Sequence, residues 1–176
     1  MLETTKYICS TCGKDHEEWP ALSYSSPTHY NDLVDEEKQT IAELKSDFCV
    51  IRYLDQTDRF IRCTLTQKII DHCEDLQYGL WVSLSENNFQ DYSENFNNEN
   101  NMASYFGWLS SQLPGYDDMT QIPTTIFTRN GNDRPDIVPH KDFNHQFVRD
   151  YYNGITKQEA ERRIKEMLKI VGQLDE

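Results

Sequence analysis

The apolar positions fall into short runs separated by polar breaks, and most runs have strand length. Residues 48–54 (FCVIRYL) are rich in β-branched and aromatic side chains and predict a strand. Residues 59–65 (RFIRCTL) predict its hairpin partner across Asp55-Gln56-Thr57-Asp58. Here Phe60, Arg62 and Thr64 alternate with Ile61, Cys63 and Leu65, so one face is expected to be wetter than the other. Residues 78–84 (YGLWVSL) are almost continuously apolar and predict a buried strand, with Gly79 at a bulge or a close backbone approach. Residues 105–109 (YFGWL) and 124–128 (TTIFT) predict two more, the second ended by the turn pair Asn130-Gly131.

Helical spacing occurs in three places. From Asn31 or Asp32 to about residue 44, Leu33, Ile41 and Leu44 share one face. After Ser85, a good cap, Phe89, Tyr92 and Phe96 recur at i, i+3 and i+7. The last helix is the clearest. Thr156 and Glu159 make a capping box, and Ala160, Ile164, Met167, Leu168 and Val171 form its stripe. Residues 13–30, 97–101 and 136–150 read as loops. Short connections leave little room for parallel crossovers, so the expected fold is α+β, a mostly antiparallel sheet packed with about three helices. No linker divides the chain. Residues 1–176 are expected to form one domain, 1–30 a turn and loop and 31–176 the α+β body.

Charge narrows the partners. Thirty acidic residues against 17 basic give a net charge of −13. Such a surface repels phosphate backbones and anionic lipid, which excludes a broad nucleic-acid interface and is compatible with a basic protein partner. No run approaches the roughly eighteen apolar residues that span a bilayer, so no membrane association is expected. The first ten residues lack a basic segment followed by an apolar one, so no signal peptide is expected and the compartment is the cytoplasm. There the five cysteines are reduced, and a paired set reads as a metal or redox site.

Cys9-Ser10-Thr11-Cys12-Gly13 is the sharpest local signal. Two thiolates spaced by two residues can bind one zinc ion from a tight turn, and Gly13 suits a positive φ, so a zinc-knuckle-like turn is expected at the N-terminus. A structural zinc needs four ligands. The candidates to complete it are His16, Cys49 and His145, then Cys63, Cys73, His72, His29 and His140. A redox pair formed by Cys9 and Cys12 is the alternative use, although no βαβ context surrounds it.

Asp136, His140, Asp142, His145 and Asp150 form a second polar group that admits a metal-dependent or acid–base site, but their spacing fits no helical zinc motif. Trp81 and Trp108 read as core residues. A pocket lined by Trp81, Tyr105, Phe106 and Trp108 is the binding alternative. No phosphate loop, nucleophile elbow or His-Glu-x-x-His motif is present.

Several stretches together resemble one bacterial family. They are Cys9-x-x-Cys12-Gly13 with His16, Asp47-x-Cys49-Val50-Ile51 ahead of Phe60-Ile61-Arg62, and the block Gly79-Leu80-Trp81-Val82-Ser83-Leu84-Ser85 followed by Phe89 and Tyr92. To these are added Phe106-Gly107-Trp108-Leu109-Ser110, Leu113-Pro114-Gly115-Tyr116, Arg134-Pro135, and His145 ahead of Gly154-Ile155-Thr156. The chain is similar over most of its length to the family called domain of unknown function 2199. The resemblance implies no activity. It singles out Cys9, Cys12, His16, Cys49 and His145 as positions of the family pattern. The leading expectation is a non-enzymatic cytoplasmic protein with a structural zinc that acts through protein contacts.

Overall fold

The computed structural model describes residues 6–8 and 13–170. In chain order the elements are β1 (Lys6–Ile8), β2 (Asp15–Glu17), β3 (Leu22–Ser23), α1 (Thr28–Asn31), α2 (Asp35–Thr40), β4 (Ala42–Leu44), β5 (Phe48–Arg52), β6 (Thr57–Gln67) and β7 (Leu76–Leu84). They continue with α3 (Glu86–Glu94), β8 (Ser104–Leu109), β9 (Pro123–Phe127), β10 (Asp136–Pro139), α4 (Gln146–Asn153) and α5 (Lys157–Ile170).

Strands β6 to β10 each pair antiparallel with the next, and β10 then pairs parallel with β6 through Asp136 opposite Thr64. A meander with an odd number of strands leaves its first and last strands pointing the same way, so closure requires a parallel pair. The Thr64 amide donates to the Pro135 carbonyl at 2.8 Å at that seam. The expectation of a mostly antiparallel sheet with about three helices is therefore corrected. The sheet is a closed five-stranded mixed barrel, extended to eight strands in all, with five short helices. Short connections make each consecutive barrel pair antiparallel, and the closing pair, which joins distant segments, is free of that constraint.

β6 and β7 are long enough to serve two neighbours on one side. β6 pairs with β5 at Thr57–Ile61 and with β10 at Thr64, and β7 takes β3 in parallel at Tyr78 and Gly79 and β8 at Val82–Leu84. Inside the barrel lie Ile61, Cys63, Leu65, Tyr78, Leu80, Val82, Leu109, Ile126 and Ile137. Phe147, Val148, Ile155, Ala160, Ile164 and Met167, from α4, α5 and the link between them, join the same core. A second, smaller core sits on the outer face, where Phe60, Trp81, Cys49 and Ile51 are roofed by Leu33. There the Trp81 indole N–H donates to the Tyr24 carbonyl at 2.9 Å.

Three stretches depart from their sequence reading. Residues 13–30, read as a loop, carry β2, β3 and most of α1. The expected helix over residues 31–44 is split: Val34 is extended at φ −73°, ψ 160°, the Glu37 carboxylate accepts its amide to start α2, and residues 42–44 form β4. Residues 136–150 are not irregular but supply β10 and most of α4. Phe89 and Tyr92 share the expected face of α3, and together with Phe96, two residues past its end, they pack on Phe48 with ring centroids 4.9 to 5.9 Å away. The Thr156 cap is also present, its hydroxyl accepting the Glu159 amide at 3.2 Å. Among the described residues no helix is long and apolar enough to cross a membrane.

Candidate interaction surface

Residues 104–109 alternate, but both halves of the alternation carry aromatics. Tyr105 and Leu109 point into the barrel, while Phe106 and Trp108 point out. On β9 the outward residues include Thr125 and Phe127. The register sets Phe106 opposite Thr125, Trp108 opposite Pro123 and Ser104 opposite Phe127, with Ser83 of β7 on the far side of Trp108. Phe106, Trp108 and Phe127 are 46%, 46% and 45% exposed, so three large aromatics share one uncovered barrel face. The reading of Trp108 as a core residue is thus corrected, whereas Trp81 is fully buried.

The face is ordered by specific contacts. Phe106 meets Trp108 edge-on at 5.2 Å and His140 at 5.6 Å. The His140 ring is held by a 3.0 Å hydrogen bond between Nε2 and the Thr125 hydroxyl. Beside the two rings runs a groove of about 490 Å³, walled by Asp58, Arg59, Ser85 and Asn88. Ser85 caps α3 by accepting the Asn88 amide at 3.2 Å, and Arg59 pairs with Glu86 at 2.9 Å. Gly107 lets β8 press against β7: a Cβ there would lie 2.4 Å from Val82 Cγ1 and 2.6 Å from the Ser83 carbonyl.

The expected metal ligands are not gathered by the described part of the fold. Cys9 and Cys12 lie outside the described residues, and His16 is placed in β2 opposite Tyr7. Gly13 has the positive φ expected of it, 68°. Cys49 is sealed in the smaller core, where burial pushes its thiol up to about 12. His145 caps α4, its Nδ1 accepting the Phe147 amide at 3.0 Å, with Nε2 3.3 Å from the Asp117 carbonyl. Among the described residues no group of three or more His, Cys, Asp or Glu is arranged to hold a metal ion, so the zinc-knuckle-like turn is not part of the described fold.

The acidic and histidine residues between 136 and 150 are dispersed. Asp136 pairs with Arg129 at 3.5 Å, His140 serves the aromatic face, His145 caps a helix, and Asp150 joins a cluster with Tyr116 and Arg163. One contact brings the N-terminal ribbon to a loop the sequence ranked low. The ring of Trp19, two residues beyond β2, stacks on His72 with centroids 4.3 Å apart and planes at 15°. His72 Nδ1 accepts the Glu74 amide at 3.1 Å and lies 3.2 Å from the Glu74 carbonyl oxygen, and Cys73 adjoins it, half-buried.

Sequence reasoning missed Phe127, Asp58 and Arg163. Only for Phe127 was a local signal present, its place directly after the inward Ile126 in a strand whose successive side chains face opposite ways. Comparison with curated proteins and with solved structures gave no match. The family model described as an uncharacterised protein conserved in bacteria, DUF2199, matches residues 8–155, and the chain belongs to that family.

Proposed function

We propose that this protein works by binding another protein, and that the outward face of β8 and β9 is the contact. The observation that carries the reading is the exposure of Phe106, Trp108 and Phe127 side by side on a rigid barrel wall. Aromatic anchors of this kind dominate protein contacts, because each buries a large area at low rotamer cost. His140, the one histidine on this face, is engaged with Thr125 and Phe106, which fits a positioned contact residue better than an acid–base group. The charge of −13 favours a basic partner.

The test places a photo-crosslinking amino acid at position 108, with exposed Leu54 as the control position, in bacterial cells. A discrete protein adduct at 108, absent at 54 and lost on Phe127→Ser, is the expected result. No adduct at 108, or an adduct to nucleic acid, overturns the reading.

A structural zinc bound through Cys9 and Cys12 belongs to the same proposal. Its support from the described residues is the stack of Trp19 on His72, which seats the exit of the β1–β2 ribbon on the loop that carries His72 and Cys73. On this placement we rank His72 and Cys73 above Cys49 and His145 as the remaining ligands.

A further inference from the structure

We infer that the groove beside Phe106 and Trp108 takes an arginine-bearing, extended segment of the partner; this rests on the proposal that the face binds protein. The groove joins two aromatic rings to a carboxylate. Phe106 and Trp108 line it, and so does Asp58. Asp58 accepts a 3.1 Å hydrogen bond from the Gln56 amide, and among the described residues no basic side chain makes an ion pair with it. The neighbouring cation is already committed, because Arg59 holds Glu86 at 2.9 Å and donates to the Thr57 carbonyl at 3.1 Å. With Arg59 paired to Glu86, what the groove presents to a partner is π surface and the Asp58 carboxylate.

That combination selects a cation over an anion. A guanidinium stacks on tryptophan through its flat face while its edge donates two hydrogen bonds to a carboxylate, and it sheds water more readily than an ammonium. The groove carries Ser83, Ser85 and Asn88 along its length, polar groups suited to the backbone of an extended chain. A second copy of this chain is disfavoured as the occupant, because two bodies of charge −13 repel.

The experiment uses the full chain and a fluorescently labelled peptide of alternating arginine and glycine, with lysine and glutamate counterparts. Fluorescence anisotropy is expected to show saturable binding in the order arginine, lysine, glutamate. Asp58→Asn should weaken the arginine peptide about five- to tenfold, and Trp108→Ser at least as much. Asp35→Asn, which removes the same charge from the exposed α2, should change it less than about twofold. Equal effects of Asp58→Asn and Asp35→Asn, or no binding of the arginine peptide, would overturn the inference and reduce the attraction to net charge. A crosslinked protein partner at position 108 alongside those results would leave the broader proposal standing.

Discussion

Tyr116 and Asp150 are joined by a 2.5 Å hydrogen bond from the phenol to a carboxylate oxygen, across 34 residues of sequence. Burial first, and then this carboxylate, push the phenol well above its ordinary range, so Tyr116 stays protonated and donates. Arg163 completes the cluster. It reaches from α5 to the Tyr116 hydroxyl, to Asp150 at 3.2 Å and to the Tyr78 hydroxyl at 3.3 Å, with its own side chain 5% exposed. The cluster fastens the two C-terminal helices to the barrel. Arg163→Met leaves the Asp150 carboxylate without its buried cation and should destabilise the fold by about 3 kcal/mol in urea unfolding. Tyr116→Phe should cost about 1–2 kcal/mol, and the double variant less than the two together, because both act on the same carboxylate.

Glu159 gives the fold an acid-sensitive contact. Its carboxyl is held down to about 2, chiefly by the hydrogen bond from Arg162, with burial opposing and Arg163 adding to the effect. A carboxyl lowered in the folded state contributes stability above its unfolded pKa, and that contribution is lost as pH falls through the folded value. The window therefore runs from about 4.5 down to about 2. The side chain is 32% exposed and its partner Arg162 is 47% exposed, so screening discounts the contribution to about 1 kcal/mol or less. Across that window the stability gap between wild type and Glu159→Gln should close. A gap that stays constant with pH would show that the contact does not depend on ionisation.

The strands β5 to β9 were legible because each is a run of five or more residues whose apolar positions repeat every second residue or almost continuously. The closure was not legible. It rests on Asp136 opposite Thr64, a pairing between distant segments with no local pattern, inside a four-residue strand of which Ile137 is the main apolar contribution. The helix expected over residues 31–44 failed for a different reason. Leu33, Ile41 and Leu44 have helical spacing, yet they serve a loop, a helix end and a strand once Val34 becomes extended. At the candidate surface, Trp81 and Trp108 look alike in sequence. What separates them is that the outer face of β7 is roofed over Trp81, whereas the face at Trp108 has no cover among the described residues. Cys49 shows the same limit: its side chain type fits a ligand, and only the packing of Leu33, Phe60 and Trp81 around it removes it from reach.

Gly107 couples the fold to the surface. Its neighbours Phe106 and Trp108 keep their outward aim because β8 lies close against β7 at this point, and a Cβ would meet the Ser83 backbone as well as the Val82 side chain. Backbone yields less than a side chain. Gly107→Ala should therefore destabilise by about 1–3 kcal/mol, measured by thermal or urea unfolding. Ser104→Ala, outward and exposed on the same strand, should fall within about 0.5 kcal/mol of wild type. Equal effects would mean that the strand spacing relaxes freely, and with it the placement of the two aromatics.

Zinc content decides between two ligand sets. Structural zinc takes four ligands, and thiolates bind it only when deprotonated. The sealed position of Cys49 in the small core counts against it as a ligand, and His145 is engaged as the cap of α4. Metal analysis of purified full-length protein should find one zinc per chain. Cys12→Ser should lose it, and His72→Ala combined with Cys73→Ser should lose it or hold it so weakly that a chelator strips it. Cys49→Ser and His145→Ala should retain it, although Cys49→Ser should lower stability by placing a hydroxyl in the small core. Retention in the His72/Cys73 variant with loss in the Cys49 or His145 variant would restore the set that the family pattern singles out. Absence of metal from both wild type and Cys12→Ser would remove zinc from the proposal and leave the aromatic face to stand by itself.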